Sequence, residues 1–305
     1  MRGVLAFYKR RILRPLLHFS HLLRFAFCSA GTFYSFSLSE RLTGARLAQR
    51  GYRHKPAIRI SAENERLERV EIEGLRVFVP RNVFKEHELQ LIHNEVFSPQ
   101  SENPHVYETD FISIRAGDYV VDAGACEGFF SLYALHKGAE RVYAFEPLEA
   151  LREGLEKTFA AHGEGKIELV AKGLSDHCGT EKFSSVESLI CASHFDEGGK
   201  ELVETITLDD FVTAQTCPRI DFIKVDVEGA ELRLLAGALE TLKRFRPRLS
   251  IAVYHEYENA ELIRKLIKEH VPDYTVRFGG SYMMEMPCRP FMLYAFCQEP
   301  RQANS

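Results

Sequence analysis

The chain has 305 residues, 45% of them hydrophobic and 27% charged, with a formal net charge of −4, a composition that suits one large globular domain with an appendage. The charge is unevenly placed, because residues 1 to 60 hold twelve Lys or Arg against one acid, Glu40, whereas the remainder holds 27 basic and 42 acidic residues. An acidic main body disfavours nucleic acid as a partner, and seven scattered cysteines without a C-x-x-C pair argue against a zinc site or a compact disulfide framework and fit a reducing, cytoplasmic compartment.

Residues 1 to about 31 mix Lys9, Arg10, Arg11, Arg14 and Arg24 with Ile12, Leu13, Leu16, Leu17, Leu22, Leu23 and Phe27 at helical spacing. The uncharged run from Arg24 to Glu40 is shorter than the roughly 18 residues a spanning helix needs and is diluted by Ser, Thr and Gly. Two readings fit equally: a basic amphipathic helix making peripheral membrane contact through residues 1–40, or a helix packed on the main domain. The acid-poor, Arg-rich start also has the features of an organelle transit sequence, whereas His18, His21 and Arg24 interrupt any secretory h-region. We divide the chain into a basic extension (1–60), a lead-in segment (61–115), a main domain (116–298) and a short tail (299–305).

From Asp118 onward, short apolar runs alternate with amphipathic helices, as a parallel sheet covered on both faces requires. Val120 and Val121 open the first strand, and Phe129, Phe130, Leu132, Tyr133 and Leu135 belong to a helix stopped by Gly138. Residues 141–146 are the second strand, 148–162 a helix and 166–170 the third strand. The rhythm lapses over 175–204, which reads as an irregular insertion marked by Gly179, Gly198 and Gly199. Thr207 or Asp209 caps a short helix, residues 221–226 form a strand, and one helix carries Leu235, Leu239 and Leu242 up to Pro247. Residues 249–254 are a fifth strand, and a helix with Leu262, Ile263, Leu266 and Ile267 follows. An antiparallel hairpin from 274–278 and 291–296 ends the domain.

Asp122-Ala123-Gly124-Ala125-Cys126-Glu127-Gly128 is a glycine turn between a strand and a helix, a place where backbone can approach a ligand. Its Gly124-x-x-x-Gly128 spacing differs from a dinucleotide fingerprint. A carboxylate at Asp122 would repel a pyrophosphate and suit the cationic end of S-adenosylmethionine. Glu146, closing the second strand, is placed to accept from both ribose hydroxyls. Asp226 and Glu228 lie where a strand meets a helix, and alternation points both to one side while the backbone stays extended. They could accept a proton, hold a substrate hydroxyl or bind a divalent cation, and Glu228 could instead cap the next helix. His255, at the end of the fifth strand, can face the same cleft as a base near neutral pH. Tyr107 and Glu108 could cover it. No residues are assigned to a resident metal.

Val121-Asp122-Ala123-Gly124-Ala125, Ala144-Phe145-Glu146-Pro147, Thr207-Leu208-Asp209-Asp210-Phe211, Ile223-Lys224-Val225-Asp226-Val227-Glu228-Gly229-Ala230-Glu231 and Val253-Tyr254-His255 resemble, in order and spacing, the FkbM-type S-adenosylmethionine-dependent methyltransferases. The resemblance implies an α/β class I methyltransferase (Rossmann-like) fold: a seven-stranded, mostly parallel sheet with an antiparallel terminal hairpin and helices on both faces. It implies O-methylation of a hydroxyl on a sugar, glycolipid or secondary metabolite. Cofactor-side roles fall by match to Asp122, Gly124, Ala125, Gly128, Glu146, Pro147 and Asp226, with Leu174 and Ser175 near the adenine. Asp226, Glu228 and His255 are the catalytic candidates. Cys126 departs from the family, where Asn is commoner. The alternatives from other classes are a non-catalytic cofactor-binding protein of the same fold and an NAD-dependent oxidoreductase, the latter disfavoured by Asp122 and by the terminal hairpin.

Overall fold

The computed structural model describes residues 34, 36–163, 165–184, 194–195, 198–283 and 288–297, without the side chains of 49 and 50. The amphipathic reading of residues 1–31 and the tail from 299 fall outside these. Among the described residues, no helix is long and apolar enough to cross a membrane.

Helix α1 (Leu38–Arg50) opens on a capping box in which the Ser37 hydroxyl accepts from the Glu40 N–H and the Glu40 carboxylate accepts from the Ser37 N–H. It packs on the last hairpin of the domain, so this part of the basic extension is a docked helix. Gly44 permits the contact, since a Cβ there would lie 2.2 Å from the Ser281 carbonyl oxygen.

The lead-in folds as an antiparallel meander of β1 (Ile58–Ala62), β2 (Leu67–Ile72) and β3 (Leu75–Pro80), followed by α2 (Glu86–Phe97). Glu73 and Gly74, both with positive φ, make the two-residue turn that suits a twisted hairpin.

The central sheet contains β4 (Tyr119–Ala123), β5 (Arg141–Phe145), β6 (Ile167–Val170), β11 (Phe222–Val225), β12 (Arg248–Ala252), β13 (Tyr274–Tyr282) and β14 (Arg289–Cys297). Its order is β13-β14-β12-β11-β4-β5-β6, parallel except for β14. This is the seven-stranded class I methyltransferase sheet expected from the sequence. Its middle strands are buried on both faces, which is why they read as apolar runs broken inside only by Asp122 and Lys224. Between them run α3 (Phe129–His136) and α4 (Glu149–His162), the latter packed on β3. The Thr158 hydroxyl accepts from the Phe78 N–H at 2.9 Å across that contact.

Two expectations are corrected. The segment after Ser175 is not an irregular insertion, because β7 (Gly173–Leu174), β8 (Gly179–Ser184), β9 (His194–Phe195) and β10 (Glu201–Ile206) form a small sheet in the order β7-β10-β8-β9. Each long strand turns only one or two apolar side chains inward, Phe183 from β8 and Val203 from β10, too few to give a periodic signal. The single helix expected before Pro247 is two, α6 (Glu231–Ala236) and α7 (Leu239–Phe245). They divide at Gly237, where a Cβ would stand 2.1 Å from the Ser175 carbonyl oxygen. Thr207 caps α5 (Leu208–Ala214), while Asp209 accepts from the N–H groups of Glu240 and Thr241 and so caps α7. After β12 comes α8 (Asn259–His270), with Ile263 and Ile267 buried and Leu262 exposed.

Gly237→Ala should lower stability by about 1–3 kcal/mol, because the added methyl meets backbone that cannot rotate away. Urea denaturation of the full chain measures this, and an unchanged midpoint contradicts the close approach.

Candidate active site

The sheet reverses its order between β4 and β11, and the loops leaving these strands form the cleft. Their positions are set by an ion pair beneath them. Lys224 and Asp122 are register partners on adjacent strands, and the buried Lys224 ammonium donates to Asp122 Oδ1 at 3.0 Å and to the carbonyls of Ala123 (3.2 Å) and Gly124 (2.6 Å). Those three acceptors match its three N–H groups. Ser131 donates to the other Asp122 oxygen at 2.7 Å. Burial by itself would lower the Lys224 pKa, but Asp122 and its acidic neighbours raise it. Asp122, expected to face the cationic end of a cofactor, is therefore engaged below the loop and does not line the cleft.

The glycine turn is tied to the second strand. The N–H groups of Gly124 and Ala125 both donate to the Phe145 carbonyl, at 3.1 and 3.0 Å, and that of Gly128 donates to Ala125. The Cys126 N–H donates to Glu146 Oε2 at 3.0 Å, and the Leu148 N–H to Oε1 at 3.1 Å. With these amides engaged, the turn offers a pyrophosphate few donors. Gly124 has φ 81°, and a Cβ on it would fall 2.0 Å from the Asp226 carbonyl oxygen, so the two cleft loops meet only because this residue is glycine. Cys126 is disulfide-bonded, whereas Cys178, Cys217 and Cys297 are free. The disulfide at Cys126 departs from the reading of uniformly reduced thiols.

The cleft has two connected parts. The outer one is lined by Gly124, Glu146, Pro147, Leu148, Leu151 and Leu174, with Phe183 and Phe195 from the small sheet as its wall. The inner one is lined by Glu95, Tyr107, Ala125, Glu127, Lys224 and Tyr254, and Asp226 and Glu228 border both. Of the residues expected at a cofactor, Gly124, Glu146, Pro147, Leu174 and Asp226 line the outer part and Ala125 the inner. Gly128 does not line it; it is the left-handed residue that starts α3. Ser175 is buried behind Leu174, its hydroxyl bonded to Asp176 and Glu181.

The three catalytic candidates converge. Tyr107 donates to Asp226 Oδ2 at 2.6 Å, and His105 Nε2 stands 3.4 Å from the same oxygen. His255 Nδ1 is 2.7 Å from Glu231 Oε1, while its Nε2 lies 3.3 Å from Glu228 Oε2 and 3.5 Å from Asp226 Oδ1. The backbone is not extended here, since Glu228 takes a left-handed φ of 52°. Glu228 caps nothing: α6 starts later, and Glu231 accepts from the Gly229 N–H. Glu108 turns away to Lys137 and the Ile114 N–H. Lys224, His105, Glu95 and Glu231 are the site residues that sequence reasoning missed. A lysine inside an apolar strand was a legible signal for the first, because a buried cation demands a partner.

Burial raises Glu95 to about 7, Glu127 to about 8 and Glu146 to about 7. Burial opposes the charge on His255, yet the carboxylates of Glu231 and Glu228 hold its pKa well above the usual histidine range. The ring as it stands is thus an imidazolium, not the neutral base expected. Asp226 would be raised by burial, but His105, His255 and Lys224 bring it well below the usual carboxylate range.

For Glu95, Glu127 and Glu146 the folded-state value exceeds the unfolded one, so between about pH 4.5 and 8 the folded chain binds more protons and stability falls as pH rises. His255 acts in the same direction, its contribution being lost as pH climbs through its raised value. Buried His93, lowered to about 4, acts oppositely up to about pH 6.5, so denaturation midpoints at constant ionic strength should decline from about pH 6.5 to 8, less steeply in Glu127→Gln. A level or rising profile contradicts the burial of these acids.

Comparison with known proteins places this geometry. The methyltransferase FkbM domain matches residues 122–274. Methyltransferase sdnD of Sordaria araneosa is 29% identical over half of this chain and 70% of its own length. The 31-O-demethyl-FK506 methyltransferase FkbM of Streptomyces tacrolimicus is 27% identical over 57% of this chain and 77% of its own. A crystal structure of methyltransferase FkbM from Methylobacillus flagellatus KT superposes with a TM-score of 0.49 at 20% identity, covering 71% of this chain and 56% of that one. With the matched domain spanning the glycine turn, the Asp226 loop and His255, this chain belongs to the methyltransferase FkbM domain family.

Proposed function

We propose that the protein is an S-adenosylmethionine-dependent O-methyltransferase acting on a hydroxyl of a small molecule such as a sugar, glycolipid or secondary metabolite. One observation carries this reading: an apolar, aromatic-walled pocket with a buried carboxylate at a strand end opens directly onto an acid-rich chamber holding Asp226. That polarity fits an adenosine joined to a cationic tail.

The residues fit the cofactor as follows. Glu146 would accept from the ribose, and Leu174, Phe183 and Phe195 would enclose the adenine. The acid-rich chamber around Glu95, Glu127 and Glu228 would receive the charged end, and Glu127 Oε2 is buried there without a hydrogen bond among the described residues. When bound, the cofactor supplies an electrophilic methyl on a cationic sulfur. The chain's own task is to hold an acceptor oxygen in line with that methyl, and alignment can contribute about 7–11 kcal/mol. Asp226, fixed by Tyr107 and ionised, orients the hydroxyl through its free Oδ1. The proton leaves toward the Glu228 carboxylate, because His255 is already protonated and Asp226 is held well below the usual carboxylate range. The relatives' names support the class, one of them specifying a 31-O position of its own substrate. Binding of NAD is disfavoured by the turn whose amides are already engaged.

Calorimetry on the full chain tests the cofactor. Wild type should bind S-adenosylmethionine and not NAD, and Glu146→Ala should weaken binding at least about a hundredfold, two bonds to a charged acceptor being worth about 1.5–3 kcal/mol each. An unchanged affinity removes Glu146 from the ribose site. Binding of neither ligand favours a non-catalytic protein of this fold. Once an acceptor is found, Asp226→Asn should depress kcat by about 100-fold or more while changing cofactor affinity little, and normal turnover in that variant excludes Asp226 from the reaction.

A further inference from the structure

We infer that Asp226, Glu228 and His255 form a binding site for a divalent first-row transition cation of the Mn²⁺ or Zn²⁺ class. The first observation is spacing. His255 Nε2 stands 3.3 Å from Glu228 Oε2 and 3.5 Å from Asp226 Oδ1, and one ligand atom from each residue lies within 4.8 Å of the others. Ligands held about 2.1 Å from a tetrahedral or octahedral ion stand roughly 3–3.5 Å from one another.

The second observation concerns atoms without partners. The His255 side chain is only 8% exposed, and neither its Nε2 nor Asp226 Oδ1 has a hydrogen bond among the described residues. With no hydrogen bond between them, these two buried atoms meet only across a 3.5 Å ion-pair contact, and a cation that replaces the His255 Nε2 proton would satisfy both.

The third observation is the outer shell. Glu231 is fully buried, takes His255 Nδ1 at 2.7 Å on one oxygen and the Asn259 amide at 3.1 Å on the other. A carboxylate on the far nitrogen of a histidine fixes the ring and directs Nε2 inward, the arrangement that serves metal-ligating histidines. Tyr107 does the same for Asp226 by holding Oδ2 and leaving Oδ1 toward the site. The donor set of one imidazole and two carboxylates favours Mn²⁺ or Zn²⁺ over Mg²⁺, which prefers oxygen and retained water. Glu228, with a side chain 26% exposed, leaves the side toward the cleft open for a further ligand. Resting on the methyltransferase reading, that ligand is the acceptor oxygen, held by the cation beside the methyl group. This differs from the sequence expectation, which assigned no resident metal.

The test is Mn²⁺ alone, titrated into the chelator-stripped full chain by calorimetry and by electron paramagnetic resonance of free Mn²⁺. One site per chain is expected, weakened at least tenfold in both Glu228→Gln and His255→Asn, and about 10–100-fold in Glu231→Gln, which touches no metal. Glu228 is partly exposed, so its variant keeps the test valid if the buried histidine variant fails to fold. No Mn²⁺ uptake by wild type, or uptake unaltered in Glu228→Gln, overturns the inference. S-adenosylhomocysteine binding measured in the chelator separates the two readings: cofactor without cation leaves the methyltransferase standing and the metal site refuted, and cation without cofactor does the reverse.

Discussion

The buried pair of Lys224 and Asp122 is the constraint on which the cleft depends. An ammonium and a carboxylate taken out of water are tolerated only when nearly every donor and acceptor is met, and here the lysine also holds the carbonyls of Ala123 and Gly124. The pair therefore fixes the direction in which the glycine turn leaves β4. It also joins the two strands on either side of the point where the sheet reverses. Rings of Tyr107 and Phe130 lie over the ammonium, at 5.6 and 5.7 Å, so the lead-in loop is packed against the same cation.

From that anchor the polarity of the site follows. Lys224 is committed to Asp122, which leaves Glu95, Glu127, Asp226, Glu228 and Glu231 around the inner chamber with little positive charge besides the histidines. Raised carboxyls and an imidazolium are the ways such a cluster lowers its own repulsion in a low-dielectric setting. A chamber of this kind attracts cations. The outer pocket, walled by Phe183 and Phe195, is apolar by contrast, and the junction between the two environments lies at Asp226.

The central sheet was legible because its strands are buried on both faces and are followed by glycines or acids at their ends. The cofactor-facing candidates on the glycine turn and at Glu146 could be placed by the same logic. Asp122 could not, since a carboxylate two residues before a glycine reads identically whether it points up to a ligand or down to a lysine. Its partner sits 102 positions away, and only pairing of β4 with β11 brings them together. His255 stands beside Asp226 and Glu228 but lines neither part of the cleft, and its raised pKa was not legible because Glu231 reaches it from a helix 24 positions away in sequence. The small sheet escaped notice because polar strands with one inward side chain lack a pattern. His105 and Glu95 lie in the lead-in, where nothing local distinguishes a buried polar group from a solvated one.

Glu228 and Cys126 adopt left-handed backbone without being glycine, one in each loop that borders the cleft. Each such residue costs on the order of 1–3 kcal/mol of strain, which the anchored loops on either side must sustain. The fold is thus held below the stability its sheet could give, at the two positions nearest the proposed chemistry. Glycine at 228 would relax the loop and delete a carboxylate in a single step, so here stability and the charge of the inner chamber are set against each other at one residue.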